Sequence, residues 1–283
     1  MHVTELDIIK GLRSLSVCEG ANIIVHSSLR NFGHVAGGAQ EIIRGLMKTV
    51  TEKGTLMMPS FNHGDCLMDN ICFDPKTTET CNGVIPSVFW KMDGVERSLE
   101  PSHTFAVWGK NAKKYTQFHH RDLTMGRLSP LGQLYQDDGE CVLLGVGYEA
   151  NTFHHYVEQE IGAKCIGWRT EVCNMRLADG RIVEGRTWGW RDGDCYFTDK
   201  ARYAQIMEAQ NLHRKGKIGD AEVIVFRLRD CYDVVMPLLE HGIDGQPPCR
   251  ECNIRPTVTE WTRESDWDFE KRCLKPDSKA WEY

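Results

Sequence analysis

Apolar residues recur along the chain with two periods, and the order of those periods sketches a fold. Leu6, Ile8, Ile9, Leu12 and Leu15 fall near one face of a helix over 4–15. Asn22-Ile23-Ile24-Val25 is a short apolar run, the mark of a buried strand, and His26-Ser27-Ser28-Leu29 follows it as a polar turn. Gly37-Gly38 then opens a helix with Ile42, Ile43, Leu46, Met47 and Val50 on one stripe. Gly54 closes that helix, and Thr55-Leu56-Met57-Met58 reads as the next strand, stopped by Pro59. Strand, loop, helix and strand in this order form the unit of an α/β sheet.

The rest of the chain continues the pattern less evenly. Residues 60–82 have no clean period and hold three cysteines, which predicts a long loop of the kind that often carries function. Helices are expected over 85–92 and 112–118, with a strand at 104–108 between them. Cys141 to Gly147 is a buried strand, and a helix starts near Asn151. Residues 165–197 alternate and turn at Asp179-Gly180, a hairpin signal. A helix over 199–213, a strand over 221–228 and a helix over 234–240 follow, and the remainder reads as loop rich in proline, charge and tryptophan. No internal repeat or low-complexity linker divides the chain, so a single domain is expected.

Composition narrows the function classes. The 283 residues carry 34 basic and 40 acidic side chains, a net charge of −6, which gives no basic footprint for nucleic acid. Apolar content of 41% suffices for a core, yet no apolar run approaches a membrane span. Met1 to Asp7 shows neither the basic start nor the apolar stretch of a signal peptide, so a cytoplasmic protein is expected. In that compartment the 12 cysteines would be thiols or metal ligands rather than disulfides. Cys249-x-x-Cys252 is the one close pair, and zinc would need two further ligands, with Cys231, His241 and Cys273 within range.

Several segments could carry chemistry. Gly145-x-Gly147-x-x-Ala150 after a strand matches a dinucleotide fingerprint, which leaves a nicotinamide oxidoreductase open. His26 to Leu29 with Gly37-Gly38 could cradle a phosphate at a helix N-terminus, or form an ordinary turn. In Asn151-Thr152-Phe153-His154-His155-Tyr156-Val157-Glu158 the asparagine or threonine can cap a helix. Glu158 then shares a face with either histidine, and a carboxylate beside an imidazole can make a general base, or a plain surface pair. Arg97-Ser98 and Pro101-x-His103-Thr104 put a cation, hydroxyls and an imidazole just before a strand.

Taken in order, Val25-His-Ser-Ser-Leu29, Gly37-Gly-Ala-Gln40, Gly54 to Pro59, Arg97-Ser98, Pro101-x-His103-Thr104, Ser129-Pro-Leu-Gly132, Leu143 to Gly147, Asn151-Thr152 with His155 and Glu158, and Lys217-Ile-Gly219 resemble the aminoglycoside 3-N-acetyltransferase family. The likeness runs from about residue 20 to 240. It implies a three-layer α/β/α arrangement around a central mixed sheet, with long loops, in a domain over 1–245; the loop over 61–82 and the tail over 246–283, irregular by its composition, match nothing in the family. It further implies acetyl-CoA as cosubstrate, a small cationic amine as acceptor, no metal, and a monomer or homodimer.

By position His155 looks like the family's catalytic histidine and Glu158 like its carboxylate partner. His26, Ser27, Ser28, Leu29, Gly37, Gly38, Arg97, Ser98 and Ser129 fall in segments that resemble the coenzyme-binding ones. Cationic acceptors call for carboxylates, and Asp65, Asp192 and Asp194 are the candidates, with Asp69, Asp74 and Asp199 nearby. The common acetyltransferase fold is not matched, because Arg214-Lys-Gly216-Lys-Ile-Gly219 lacks the spacing of its pyrophosphate loop. No cysteine sits in a recognisable nucleophile context, which favours direct transfer over an acyl-enzyme. The acceptor could also be an amine other than an aminoglycoside.

Overall fold

A computed structural model describes residues 2–62, 72–166, 173–185, 191–256, 267–268, 273–278 and 282. In chain order the elements are α1 (Glu5–Ser14), β1 (Asn22–Ser27), α2 (Gly38–Val50), β2 (Thr55–Pro59), β3 (Cys72–Phe73), α3 (Val84–Phe89), β4 (Glu96–Arg97), β5 (Phe105–Gly109), α4 (Ala112–Thr116), α5 (Pro130–Gln136) and β6 (Glu140–Leu144). They continue with α6 (Phe153–Ile161), β7 (Cys173–Arg176), β8 (Ile182–Gly185), β9 (Arg191–Asp192), α7 (Tyr203–Ala209), β10 (Arg214–Ile218), β11 (Ala221–Arg227), α8 (Leu228–His241), β12 (Arg255–Pro256), β13 (Trp267–Asp268) and β14 (Cys273–Leu274).

Seven strands form a mixed sheet in the order β10-β11-β6-β1-β2-β5-β4. β1 lies between two parallel partners, with Ile24 in register with Met57 on one side and Cys141 on the other. The outer pairings to β5 and β11 are antiparallel. Side chains alternate across this sheet. Ile24, Met57, Phe105, Val107, Cys141 and Leu143 pack with residues of α4 to α8. Ile23, Val25, Leu56, Met58, Ala106, Val142 and Leu144 pack with residues of α1, α2 and α3. Both faces are covered, which is why the central strands read as continuous apolar runs and not as alternation. The result is the expected three layers.

Local chemistry sets the helix ends. Thr4 and Asp7 form a reciprocal capping box at α1, and the Ser129 hydroxyl caps α5 by accepting from the Gly132 amide, with Pro130 in the first turn. α2 leaves β1 over one face of the sheet, whereas α6 follows β6 over the other. The crevice outside the carboxyl ends of β1 and β6 is therefore a topological switch point, the usual ligand site of open α/β sheets.

Some elements differ from the sequence expectation. The strand expected over 141–147 ends at Leu144, and Gly145 turns with φ 74°. A Cβ there would meet Asn31 Cβ at 3.1 Å and the Ser28 carbonyl at 3.2 Å, so this glycine serves a close turn. The next strands of the main sheet after α6 are β10 and β11, and β11 runs antiparallel to β6. Among the described residues, the parallel βαβ unit that a dinucleotide fingerprint requires is missing at this glycine turn. The loop over 60–82 contains β3, which pairs in parallel with β7 of the β7–β8 hairpin. The tail is also less irregular than expected: β12 pairs with β9, β13 pairs with β14, and the Cys249 amide donates to the Leu239 carbonyl. No helix among the described residues is long and apolar enough to cross a membrane.

Candidate active site

His26 ends β1 on the face that α6 covers, and its Nε2 lies 3.4 Å from the Thr152 hydroxyl. The turn after β6 delivers Asn151, whose Oδ1 accepts from the Phe153 amide at 3.1 Å and so caps α6. Asn151 Nδ2 donates to the Tyr203 hydroxyl at 3.0 Å, which ties the helix start to α7. The helix then separates two adjacent histidines. His154 turns inward, 3% exposed, with Nδ1 3.0 Å from the Tyr203 hydroxyl. His155 lies at the rim with its side chain 26% exposed, and its Nδ1 is 2.7 Å from Glu158 Oε2, one helical turn on. Of the two pairings the spacing allows, the structure makes the second.

Glu158 is almost fully buried and needs partners for both oxygens. Its Oε1 accepts from Arg191 Nη1 at 2.7 Å and from the Thr198 hydroxyl at 2.5 Å. Arg191 turns the rest of its guanidinium to Asp199, with Nε to Oδ2 at 2.9 Å and Nη2 to Oδ1 at 2.5 Å, and the Cys195 amide donates to Asp199 Oδ2 at 2.7 Å. Burial pushes the Glu158 carboxyl up, but Arg191 and His155 outweigh it and hold the group well below the usual carboxylate range. An ionised carboxylate only accepts, so His155 Nδ1 carries a proton and Nε2 is the basic nitrogen. Burial instead keeps His26 and His154 neutral, His26 pushed down to about 4. A base oriented by a carboxylate, at the rim of a switch-point crevice, can take a proton from a bound nucleophile.

The other expected residues spread along the same edge and beyond it. Ser27 ends β1, Ser28 follows it with its amide bonded to the Leu144 carbonyl, and Leu29 starts a short 3-10 turn. Gly37 and Gly38 stand at the N-terminus of α2. Arg97 lies on the edge strand β4, where its guanidinium stacks on Trp90 and Phe73, donates to the Ser60 carbonyl at 2.8 Å and also bonds the Thr78 carbonyl. Ser98 is buried, with its hydroxyl 2.8 Å from His119 Nδ1, and Ser129 is occupied as the cap of α5. A cleft of about 960 Å³ opens beside Arg97, lined also by Lys76, Trp90, Lys113 and Arg176, and none of His26, His155 and Glu158 lines it.

Asp65 and Asp69 lie outside the described residues. Asp192 sits on β9, and the exposed Asp194 pairs with Lys200. Asp74 faces Arg176 at 3.4 Å. Sequence reasoning passed over Arg191 and Thr198, and a lone arginine after Trp188-Gly-Trp190 carries no local mark of its partner. Asp199 was weighed for a cationic acceptor and instead holds Arg191.

His154, His155 and Asp199 bring ligand atoms within 4.8 Å of one another. Tetrahedral zinc would draw them to about 3.3 Å, against an Asp199 carboxylate already gripped by Arg191. Among the described residues no group of metal ligands includes Cys249 or Cys252.

Comparison with known proteins gives this geometry a lineage. Residues 24–240 match the family profile described as aminoglycoside 3-N-acetyltransferase. The SPbeta prophage-derived aminoglycoside N(3')-acetyltransferase-like protein YokD of Bacillus subtilis (strain 168) is 28% identical over 253 residues, covering 81% of this chain and 90% of that protein. Aminoglycoside N(3)-acetyltransferase IV of Salmonella sp is 29% identical over 226 residues, covering 79% of this chain and 82% of that protein. The solved structure of aminoglycoside acetyltransferase AAC(3)-IVa in complex with a gentamicin superposes with a TM-score of 0.70 at 27% identity, covering 84% of this chain and 89% of that one. With the profile spanning most of the chain and the sheet shared, this protein belongs to the aminoglycoside 3-N-acetyltransferase family, a family of acyltransferases.

Proposed function

We propose that this enzyme moves the acetyl group of acetyl-CoA to the 3-amino group of a 2-deoxystreptamine aminoglycoside, and so confers resistance to that antibiotic. The observation that carries the reading is the His155–Glu158 pair at the switch-point crevice, with Nδ1 held at 2.7 Å by an ionised carboxylate, which makes Nε2 the basic nitrogen. Only a neutral amine attacks a thioester. The amine nitrogen attacks the carbonyl carbon while its proton passes to His155 Nε2. The carbon–nitrogen bond forms, the carbon–sulfur bond breaks, and coenzyme A leaves as the thiolate that takes up a proton. Backbone amides of the turn that follows Ser28 supply donors for the oxyanion, the Ser28 amide itself being taken by the Leu144 carbonyl.

On this reading the segment from His26 to Leu29 and the Gly37-Gly38 helix start bind the coenzyme. Asp192 and Asp194 serve the cationic acceptor. Ser98, Ser129 and the Arg97 guanidinium contribute by shaping the edge, since both hydroxyls and the two terminal guanidinium nitrogens bond within the fold. The reaction so written draws on no metal ion.

The test is a thiol-release assay with acetyl-CoA across gentamicin-like acceptors and simple polyamines. Release with the aminoglycosides supports the reading, and release only with other amines moves the acceptor to a different metabolite. His155→Ala should slow turnover by about 10²-fold or more, the scale of a lost general base. A variant with full activity would remove His155 from that role.

A further inference from the structure

The tail, which the sequence left without a role, reaches the site with its Cys249 thiol and with one strand. β9 carries Arg191, and β12 of the tail pairs with it, Arg255 opposite Asp192 and Pro256 opposite Arg191. Arg191 is the residue that fixes the second oxygen of Glu158. We infer that Arg191 is a positioning residue for the His155 base, and that the tail strand β12 braces it from behind. The inference rests on the functional reading above and deepens it.

The charges explain the arrangement. Glu158 and Asp199 bring two negative charges to Arg191, and the set carries one surplus negative charge. When His155 takes the proton of the amine, the four groups sum to zero. Without the guanidinium, two carboxylates would share a half-dry site and raise each other's proton affinity. The other titratable groups around Glu158 are His154 and the thiols Cys165, Cys195 and Cys249, all kept uncharged by burial. Arg191 is thus the cation that keeps Glu158 ionised, and an ionised Glu158 keeps the proton of His155 on Nδ1. The hold also depends on where β9 sits. Pro256 has no amide proton, so the Arg255 amide is the only backbone donor that β12 can offer to β9.

The test uses the full chain and three variants. Arg191→Met should lower kcat by about 10- to 100-fold, the scale seen when an outer partner of a functional histidine is lost, with KM for both substrates nearly unchanged. Its acid limb should move up by about one pH unit or more, as Glu158 takes up a proton in the assay range. Arg191→Lys keeps the charge and should return the acid limb to its original place. Arg255→Pro removes the brace at an exposed position and should reproduce the shift in weaker form, whereas Arg255→Ala keeps the amide and should behave as the parent.

A wild-type kcat and pH profile in Arg191→Met would overturn the positioning role, and the same result in Arg255→Pro would overturn the brace. Imidazole nitrogen NMR of His155 keeps this apart from the general-base reading. Arg191→Met should mix the two neutral tautomers where the parent holds Nδ1–H, whatever His155→Ala does to turnover, and unchanged spectra would again overturn the inference.

Discussion

The carboxyl edge of the sheet is finished in two different ways on its two faces. Toward α6 and β9, Glu158, Arg191, Thr198 and Asp199 hydrogen-bond one another at 2.5–2.9 Å. Toward α2 and α3, Ser27 and Ser60 stand two residues beyond Val25 and Met58, which fill that layer. Their hydroxyls, and both amide atoms of Asn62, are buried without a hydrogen-bond partner among the described residues. The difference follows from the cost of burial. An unpaired charge inside a protein is prohibitive, so the ionic side has to be complete before any substrate arrives. An unpaired hydroxyl or amide costs about 1–3 kcal/mol, which a fold of this size can carry. The enzyme keeps its charge chemistry preorganised and leaves its neutral polar row open.

Stability measurements can break this contrast. Arg191→Met leaves Glu158 and Asp199 without their shared cation and should cost about 3–5 kcal/mol in urea unfolding, the scale for breaking a buried ion pair. A loss below about 1 kcal/mol would mean that the network is not worth more than its desolvation. A pH series gives the next largest effect. His26 is pushed down to about 4 from an ordinary 6.5 by burial. The unfolded chain therefore binds a proton there that the folded chain refuses, and stability present above 6.5 is lost as pH falls toward 4. His119 and His154 are lowered by burial in the same direction. The melting temperature should drop across that window, and His26→Gln should flatten part of the drop. Ser60→Ala should leave that slope alone, since its row holds no titratable side chain. It carries the smallest effect: removal of an orphan hydroxyl should leave stability unchanged or raise it by up to about 1 kcal/mol. A clear loss would show that Ser60 has a partner in solution, and the two faces would then be finished alike.

How much of this was legible depended on whether the forces were local. β1, α2, β2 and the α6 start were readable because both layers bury them and the apolar period is unbroken. The His155–Glu158 pair was readable for the same reason, since one turn of helix sets that distance. Arg191 was not, because its 2.7 Å contact with Glu158 joins positions far apart in the chain, and no local pattern encodes it. β10 escaped because Arg214, Lys215 and Lys217 belong to an edge strand whose solvent side needs no apolar residue. α8 starts at Leu228 rather than near 234, following β11 directly with the Leu228 amide bonded to the Gly139 carbonyl. The tail strand β12 has only two residues, too few for any period to register.

The central place of β1 also has a price during synthesis. Its second parallel partner, β6, is encoded about a hundred residues later, so at ordinary translation rates the Ile23-Ile24-Val25 edge waits on the order of 10 s for cover. During that interval the nascent chain presents an apolar, β-prone backbone edge of the kind that recruits other chains. Refolding yield should therefore fall steeply as protein concentration rises, with aggregation starting from the middle of the sheet and not from its charged rim.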